Sequence, residues 1–587
     1  MWGAAQEHDD DPPHPPGPRR HRALATLALA FPLAGTASTS SAAGAAANPL
    51  QELFAPQLVT VDTPDRDAKE KLQALGLDLT EHAGRDYIEV VLHTAADLAA
   101  LVLNGFTFDV RIPDLVERGI EVAEINEAFA KATVRSALPS GRDTYRTLDD
   151  YNADMAALAE DHPELVTSIT LPLPSLEGRS IQGVEIGSDV TEPPSGRPTF
   201  LLMGVHHARE WPSGELAMEF AVDLAKSYGK DARITRLLDK ARVVVVPVVN
   251  VDGFNLSRTS GEFVDLRALN DTGADPLGGQ TSILATPGFA YMRKNCRLVD
   301  GQQTPAGACA AQLSTPGGFG LGVDLNRNYG GFWGGPGAAA TAPNPAAVEV
   351  GLLDPTYRGA APFSEPETQN IQQLVRERQV TMLISNHTFS NLVLRPNGVA
   401  PTTIGPDGIP VGDAPDEKAL KRLGAEMAAA NGYENIHGWE LYDTTGTTED
   451  YSYNATGGYG YTFEIGPDEF HPPYEQVVAE YVGDTEAAGA VTPENAADLT
   501  TEAADECGGT HQGHDEVGGG NREAFLLAFE NALDAGTHSI ITGQAPAGAV
   551  LKLQRTGVFP LWDGSQVADT VATTMTTTST GAFTYHA

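Results

Sequence analysis

His207 and Glu210, three residues apart in Gly204-Val205-His206-His207-Ala208-Arg209-Glu210-Trp211, pair an imidazole with a carboxylate. A nitrogen and an oxygen at this spacing can converge on one small ion. Zinc takes such ligands at about 2 Å, and a catalytic zinc keeps one position open for water. A lone His-x-x-Glu is also consistent with a capped helix start and a solvated histidine, so the motif needs partners. The surrounding elements place it well. Phe200-Leu201-Leu202-Met203 is an apolar run that reads as a buried strand, and Pro212 to Phe220 reads as the start of an amphipathic helix. His207 and Glu210 therefore fall at the C-terminal end of a strand, where open α/β sheets bind ligands.

Four further stretches offer chemistry. Ile384-Ser385-Asn386-His387-Thr388 supplies a strand-end histidine. Tyr461-Thr462-Phe463-Glu464-Ile465 sets a carboxylate on an apolar strand, where desolvation raises a pKa and an unpaired charge is costly. Tyr291-Met292-Arg293-Lys294-Asn295 places Arg293 after a long loop, and Gly322 to Tyr329 sets Asn326 beside Arg327. Taken singly, each has a bland reading: a surface arginine, a loop, a rim aromatic for Tyr442. Their order along the chain carries more weight than any one of them.

Together these stretches resemble the zinc metallocarboxypeptidases, the family of the pancreatic carboxypeptidases A and B and their secreted bacterial relatives. The resemblance covers roughly Tyr145 to Thr537. It implies one Zn2+ per chain, held by His207, Glu210 and His387. It implies Glu464 as general base and Arg293 as the arginine that stabilises the oxyanion. Asn326, Arg327 and Tyr442 would hold the substrate's terminal carboxylate, and Arg209 would help bind the chain. The residue types suit this chemistry. A guanidinium pairs a carboxylate bidentately, and a carboxylate near zinc can take a proton from water and pass it to the leaving amine. The family resemblance puts Glu449 at the floor of the specificity pocket, where an acid predicts preference for C-terminal Arg or Lys. Glutamate is longer than aspartate, and the alternative is that it turns back onto a backbone amide. Phe389 stands where the pancreatic enzymes have a tyrosine. The loops from Asp252 to Arg293 and from Arg293 to Asn326 look longer than theirs.

The wider pattern predicts an α/β fold. Its mixed, largely parallel central sheet has helices on both faces, with a small α/β domain before it and a small β-sandwich-like module after it. Residues 1–48 read as a signal peptide region: Arg19-Arg20-His21-Arg22 precedes a short apolar run, Ala23 to Gly35, too short to span a bilayer. No transmembrane anchor is expected. Residues 49–141 read as a pro-domain, the alternative being a permanent accessory domain. Arg135 and Arg142 are candidate cleavage points for an activating protease in an exposed loop. Residues 142–537 form the expected catalytic domain. Residues 538–587 form the C-terminal β module, which ends inside a strand-like run, as a truncated product would.

Composition narrows the function. The 587-residue chain carries 78 acidic and 38 basic residues, a net charge of −40. That excludes nucleic acid and anionic lipid surfaces as natural partners. Three cysteines are too few for a disulfide scaffold. Cys296 and Cys309 can staple one loop in an exported protein and leave Cys507 over, or all three are free thiols. The acidic stretch Glu494 to Gly520 carries Cys507, His511 and His514 and reads as a loop, with a second metal site as its alternative. The combined expectation is a secreted zinc carboxypeptidase, made as a zymogen, acting on peptide and protein C-termini. The rivals are a peptidoglycan stem-peptide peptidase of the same fold and a catalytically dead secreted binding protein.

Overall fold

The computed structural model describes residues 54–84, 86–192, 195–259, 289–298, 304, 309, 322–339, 355–466, 468–483 and 520–586. The expected signal region, Cys507, His511, His514 and most of the two long loops lie outside them. No described helix is long and apolar enough to cross a membrane.

The N-terminal strands β1 (Gln57–Asp62), β2 (Asp78–Ala83), β3 (Tyr87–Leu92) and β4 (Phe108–Ile112) form an antiparallel sheet in the order β2-β3-β1-β4. Helices Arg66–Gln73, Ala95–Leu103 and Leu115–Ala132 complete this part. Each begins on an aspartate or threonine whose side chain accepts from the first-turn amides. The β2 strand is not evident from the sequence, because its residues alternate without an apolar face.

The central sheet contains β5 (Val166–Thr170), β6 (Gln182–Ile186), β7 (Thr199–Met203), β8 (Arg242–Val246), β9 (Val380–His387), β10 (Leu392–Arg395), β11 (Glu434–His437) and β12 (Tyr459–Glu464). Their order is β11-β10-β12-β9-β7-β8-β6-β5. The middle strands β12, β9, β7 and β8 run parallel, and the flanks mix directions. Buried β-branched residues fill β8, as expected for a strand covered on both faces. The run Val243 to Asn250 reads as one strand, but the strand ends at Val246. Pro247 has no amide to continue the ladder, and Asn250 instead accepts from Gly253 N at the start of helix Val251–Thr259.

Register aligns the chemistry. Glu464 sits opposite His387 across β12 and β9, and Met203 lies opposite Ser385 across β7 and β9. The C-terminal ends of three adjacent parallel strands therefore meet at one place. Helix Trp211–Ser227 packs below with nearly every residue buried, and proline at its first turn suits a helix start. Phe525 and Phe529 of helix Gly520–Asn531 close the core against Phe220, Phe463 and Phe200.

The last strands are β13 (Ile540–Gln544), β14 (Val550–Pro560), β15 (Gln566–Thr576) and β16 (Ala582–His586). They form two antiparallel pairs, β13 with β16 and β14 with β15.

Candidate active site

The turn after β7 carries His207 and Glu210. Glu210 occupies the N-cap position of helix Trp211–Ser227, yet its carboxylate caps nothing. It turns instead to the two histidines. His207 Nδ1 lies 2.6 Å from Glu210 Oε1, and His387 Nδ1 lies 2.9 Å from Glu210 Oε2. The two Nδ1 atoms face each other at 3.2 Å. All three side chains are buried, and their ligand atoms lie within 4.8 Å of one another. Two imidazole nitrogens and a carboxylate converging in a dry site form a donor set that fits a zinc ion. Burial alone would raise the Glu210 carboxyl, but His207 and His387 outweigh it and hold it well below the usual carboxylate range.

A second layer orients the ligands. His207 Nε2 lies 3.0 Å from Asp324 Oδ1. His387 Nε2 lies 3.1 Å from Ser385 Oγ, which lies 3.1 Å from His206 Nδ1, and His206 Nε2 lies 2.9 Å from Tyr329 Oη. Each imidazole thus turns Nδ1 inward and gives its other nitrogen a partner that fixes its tautomer. Sequence reading missed Asp324 and Ser385 in this role. Asp324 stands two residues before Asn326 in a recognisable stretch, and that adjacency is the one signal available.

Glu464 ends β12 with its carboxyl buried and Oε2 without a hydrogen-bond partner among the described residues. Burial pushes this carboxyl well above the usual range, Glu81 and Glu210 push it further, and Arg293 opposes them. Arg293 donates through Nε to Asp324 Oδ2 at 3.1 Å and through Nη1 to Glu81 Oε1 at 3.3 Å. Asn326 accepts from Thr448 N at 3.1 Å through Oδ1. Arg327 donates to Gly337 O at 2.9 Å and Asn326 O at 2.8 Å. Tyr442 Oη donates to Glu81 Oε1 at 3.4 Å. Arg209 is buried, pairs with both oxygens of Asp78, and lies with its guanidinium 4.1 Å from the centre of the Phe470 ring. Asp78 and Glu81 belong to β2, so the N-terminal sheet inserts two carboxylates among the arginines.

Glu449 is buried in the short helix Thr448–Tyr451. Its Oε2 accepts from Thr462 Oγ1 at 2.9 Å and Thr448 Oγ1 at 3.3 Å. It does not turn back onto a backbone amide; its neighbour Asp450 takes that role at Gly398 N. Phe389 packs against Phe470 with ring centres 4.9 Å apart. Cys296 and Cys309 are joined as a disulfide. Arg135 is exposed, but Arg142 is not the free loop residue expected: it pairs with Asp150 at 3.2 Å and Asp154 at 3.3 Å.

Residues 151–487 match the family model described as zinc carboxypeptidase. The chain belongs to the zinc carboxypeptidase family. The enzyme is a hydrolase of the exopeptidase class, and its family's members are zinc enzymes. This zinc carboxypeptidase is 26% identical to carboxypeptidase A1 of Rattus norvegicus over 427 residues, 70% of this chain and 85% of that one. It is 25% identical to the zinc carboxypeptidase of Saccharothrix mutabilis subsp. capreolus over 473 residues, 79% of this chain and 93% of that one. Its fold matches the crystal structure of carboxypeptidase A from Helicoverpa armigera with a TM-score of 0.56 at 18% identity, covering 82% of this chain and 98% of that one.

Proposed function

We propose that this chain is a secreted zymogen of a zinc carboxypeptidase that removes C-terminal residues from peptides, with a preference for Arg or Lys. The observation that carries this reading is the insertion of Asp78 and Glu81 into the arginine cluster. A substrate needs Arg293 for its oxyanion and Arg327 and Tyr442 for its terminal carboxylate, and Glu81 already engages Arg293 and Tyr442. The β2 strand therefore imitates the charge of a substrate and excludes it.

His207, Glu210 and His387 would hold one zinc ion. When bound, zinc supplies a Lewis acid that polarises a carbonyl and acidifies water. Glu464 takes a proton from the attacking water and delivers it to the leaving amine. Its Oε2, without a hydrogen-bond partner among the described residues, is free for this transfer. Arg293 stabilises the oxyanion, and Asn326, Arg327 and Tyr442 clamp the terminal carboxylate. Glu449, held by two threonine hydroxyls, presents a buried negative charge to the residue being removed. An arginine or lysine side chain neutralises it; an apolar side chain leaves it uncompensated. The Cys296–Cys309 disulfide fits an oxidising, extracellular compartment.

The test uses the full chain before and after limited trypsin cleavage, with two blocked peptides ending in Arg and Phe. Cleavage is expected after exposed Arg135 rather than ion-paired Arg142. Turnover should rise on cleavage and favour the Arg peptide by at least about tenfold, the size of one paired charge. Equal turnover before and after cleavage would discard the zymogen, and preference for Phe would discard the basic pocket.

A further inference from the structure

We infer that the β14–β15 hairpin is a positioning element of the substrate pocket. It acts through Asp569 on Tyr451 and through Trp562 on the loop that holds Arg327. The inference rests on the pocket assignment made above.

Asp569 lies on β15 and is 2% exposed. A buried carboxylate is costly unless donors surround it, and among the described residues every donor here comes from the central domain. Gln372 Nε2 donates to it at 3.0 Å, Tyr451 Oη donates at 2.8 Å, and Arg376 pairs with its other oxygen. Tyr451 lies in the helix Thr448–Tyr451 that carries Glu449 and Asp450 and runs on into a π-helical turn, Ser452–Thr456. So short a helical segment has little stability of its own, and its placement depends on what grips it. Gly460 and Gly331 press on it from two sides: an added β-carbon would lie 2.8 Å from Glu449 Cα at the first and 2.6 Å from Tyr451 N at the second. Asp569 grips it at Tyr451.

The hairpin's turn acts on a second wall. Trp562 N donates to Trp333 O at 3.0 Å, and the Trp562 ring lies 2.7 Å from where a β-carbon on Gly335 would stand. Phe559 and Leu561 bury themselves against Trp333. This loop continues to Gly337, whose carbonyl accepts from Arg327 Nε. Pro336 O accepts from Thr445 Oγ1 at 2.9 Å, and Gly331 O accepts from Gly446 N at 2.8 Å. The carboxylate clamp and the specificity helix are thus tied together, and the hairpin closes over both. The hairpin's other face is open: Val550 is 71% exposed and Val558 60%. Its inner face buries Phe559, Leu561 and Met575, and among them sets the charge of Asp569 against a phenol of the pocket helix.

The test measures the affinity of a peptide ending in Arg for the full chain after trypsin cleavage, on a Glu464→Gln background that binds without cutting. Calorimetry is run for D569N, Y451F, W562A and V558S, and turnover for the same changes in the Glu464 enzyme. D569N, Y451F and W562A should each weaken Kd about tenfold, the weight of one charge-assisted hydrogen bond or its equivalent in packing. D569N with Y451F should lose no more than the worse single change, and zinc content should be unaltered. V558S, on the outer face, should match the parent. Y451F keeps its ring and decides the case if D569N does not fold. Kd unchanged within twofold in folded D569N and Y451F, with only the melting temperature lowered, would overturn the inference. Failure of the unsubstituted enzyme to turn over peptide bears on the activity itself, because the hairpin is judged on ratios of Kd.

Discussion

At the scale of single residues, the proposed mechanism rests on Glu464 and Arg293, and their loss should be read in kcat. Glu464→Gln removes the proton acceptor, and kcat should fall by about 10²–10⁴. Replacing Arg293 by alanine should cost about 10²–10³, as for other single oxyanion donors. Asp324→Asn weakens the partner of His207 Nε2, so zinc affinity should fall about 10- to 100-fold in competition with a chelator. The cluster of His207, Glu210 and His387 was legible in the sequence because their types and strand-end positions announce it. Glu464 was legible because a carboxylate amid apolar residues asks for a reason. Asp324, Ser385 and His206 were not. A residue that orients a ligand needs one atom in one place, and no spacing rule records that. Nor could the sequence show that Thr462 and Thr448, rather than a backbone amide, hold Glu449.

At the scale of elements, β2 is the part that sequence concealed. Its polar residues resemble a solvated loop, yet Asp78 and Glu81 face Arg209, in the turn after β7, and Arg293, in a loop after Tyr291. Glu81→Gln should raise the turnover of the uncleaved chain, because the imitation of a carboxylate loses its charge. The acid response follows from Asp78. Burial would raise its carboxyl, but Arg209 and His93 outweigh burial and hold it well below the usual range. A depressed carboxyl contributes stability above its ordinary pKa and loses it only as pH falls through the folded value. The uncleaved chain should therefore stay inactive when assayed at pH 4 to 5; release of activity there would show that Asp78 does not hold the sheet in place. The strands β7, β9 and β12 were legible from continuous apolar runs, whereas the end of β8 was set by Pro247, inside the apolar run.

At the scale of the whole molecule, the changes of pattern along the sequence fall where the strands change sheet, from β1–β4 to β5–β12 to the β13–β16 pairs, and the excess of acid was legible from composition. What composition hides is where acid is buried. Glu480 is 3% exposed, and its carboxyl is pushed up to about 7 by burial, with Tyr433 opposing and Asp468 adding. A raised carboxyl contributes fully below its unfolded pKa and loses that contribution as pH rises through about 7. Glu480→Gln should thus gain stability on the order of 3 kcal/mol over the parent above neutral pH and little below pH 5, checked by urea melts at pH 5 and 8. Zinc removal should lower the melting temperature, since only the folded chain assembles His207, Glu210 and His387.

The most direct test of this mechanism is peptide hydrolysis by trypsin-cleaved chain, parent beside Glu464→Gln, with zinc content measured on both. The expected result is equal zinc in the two proteins, chelator-sensitive removal of the C-terminal residue by the parent, and loss of that turnover in Glu464→Gln. Turnover retained in Glu464→Gln at equal zinc would contradict the role given to Glu464.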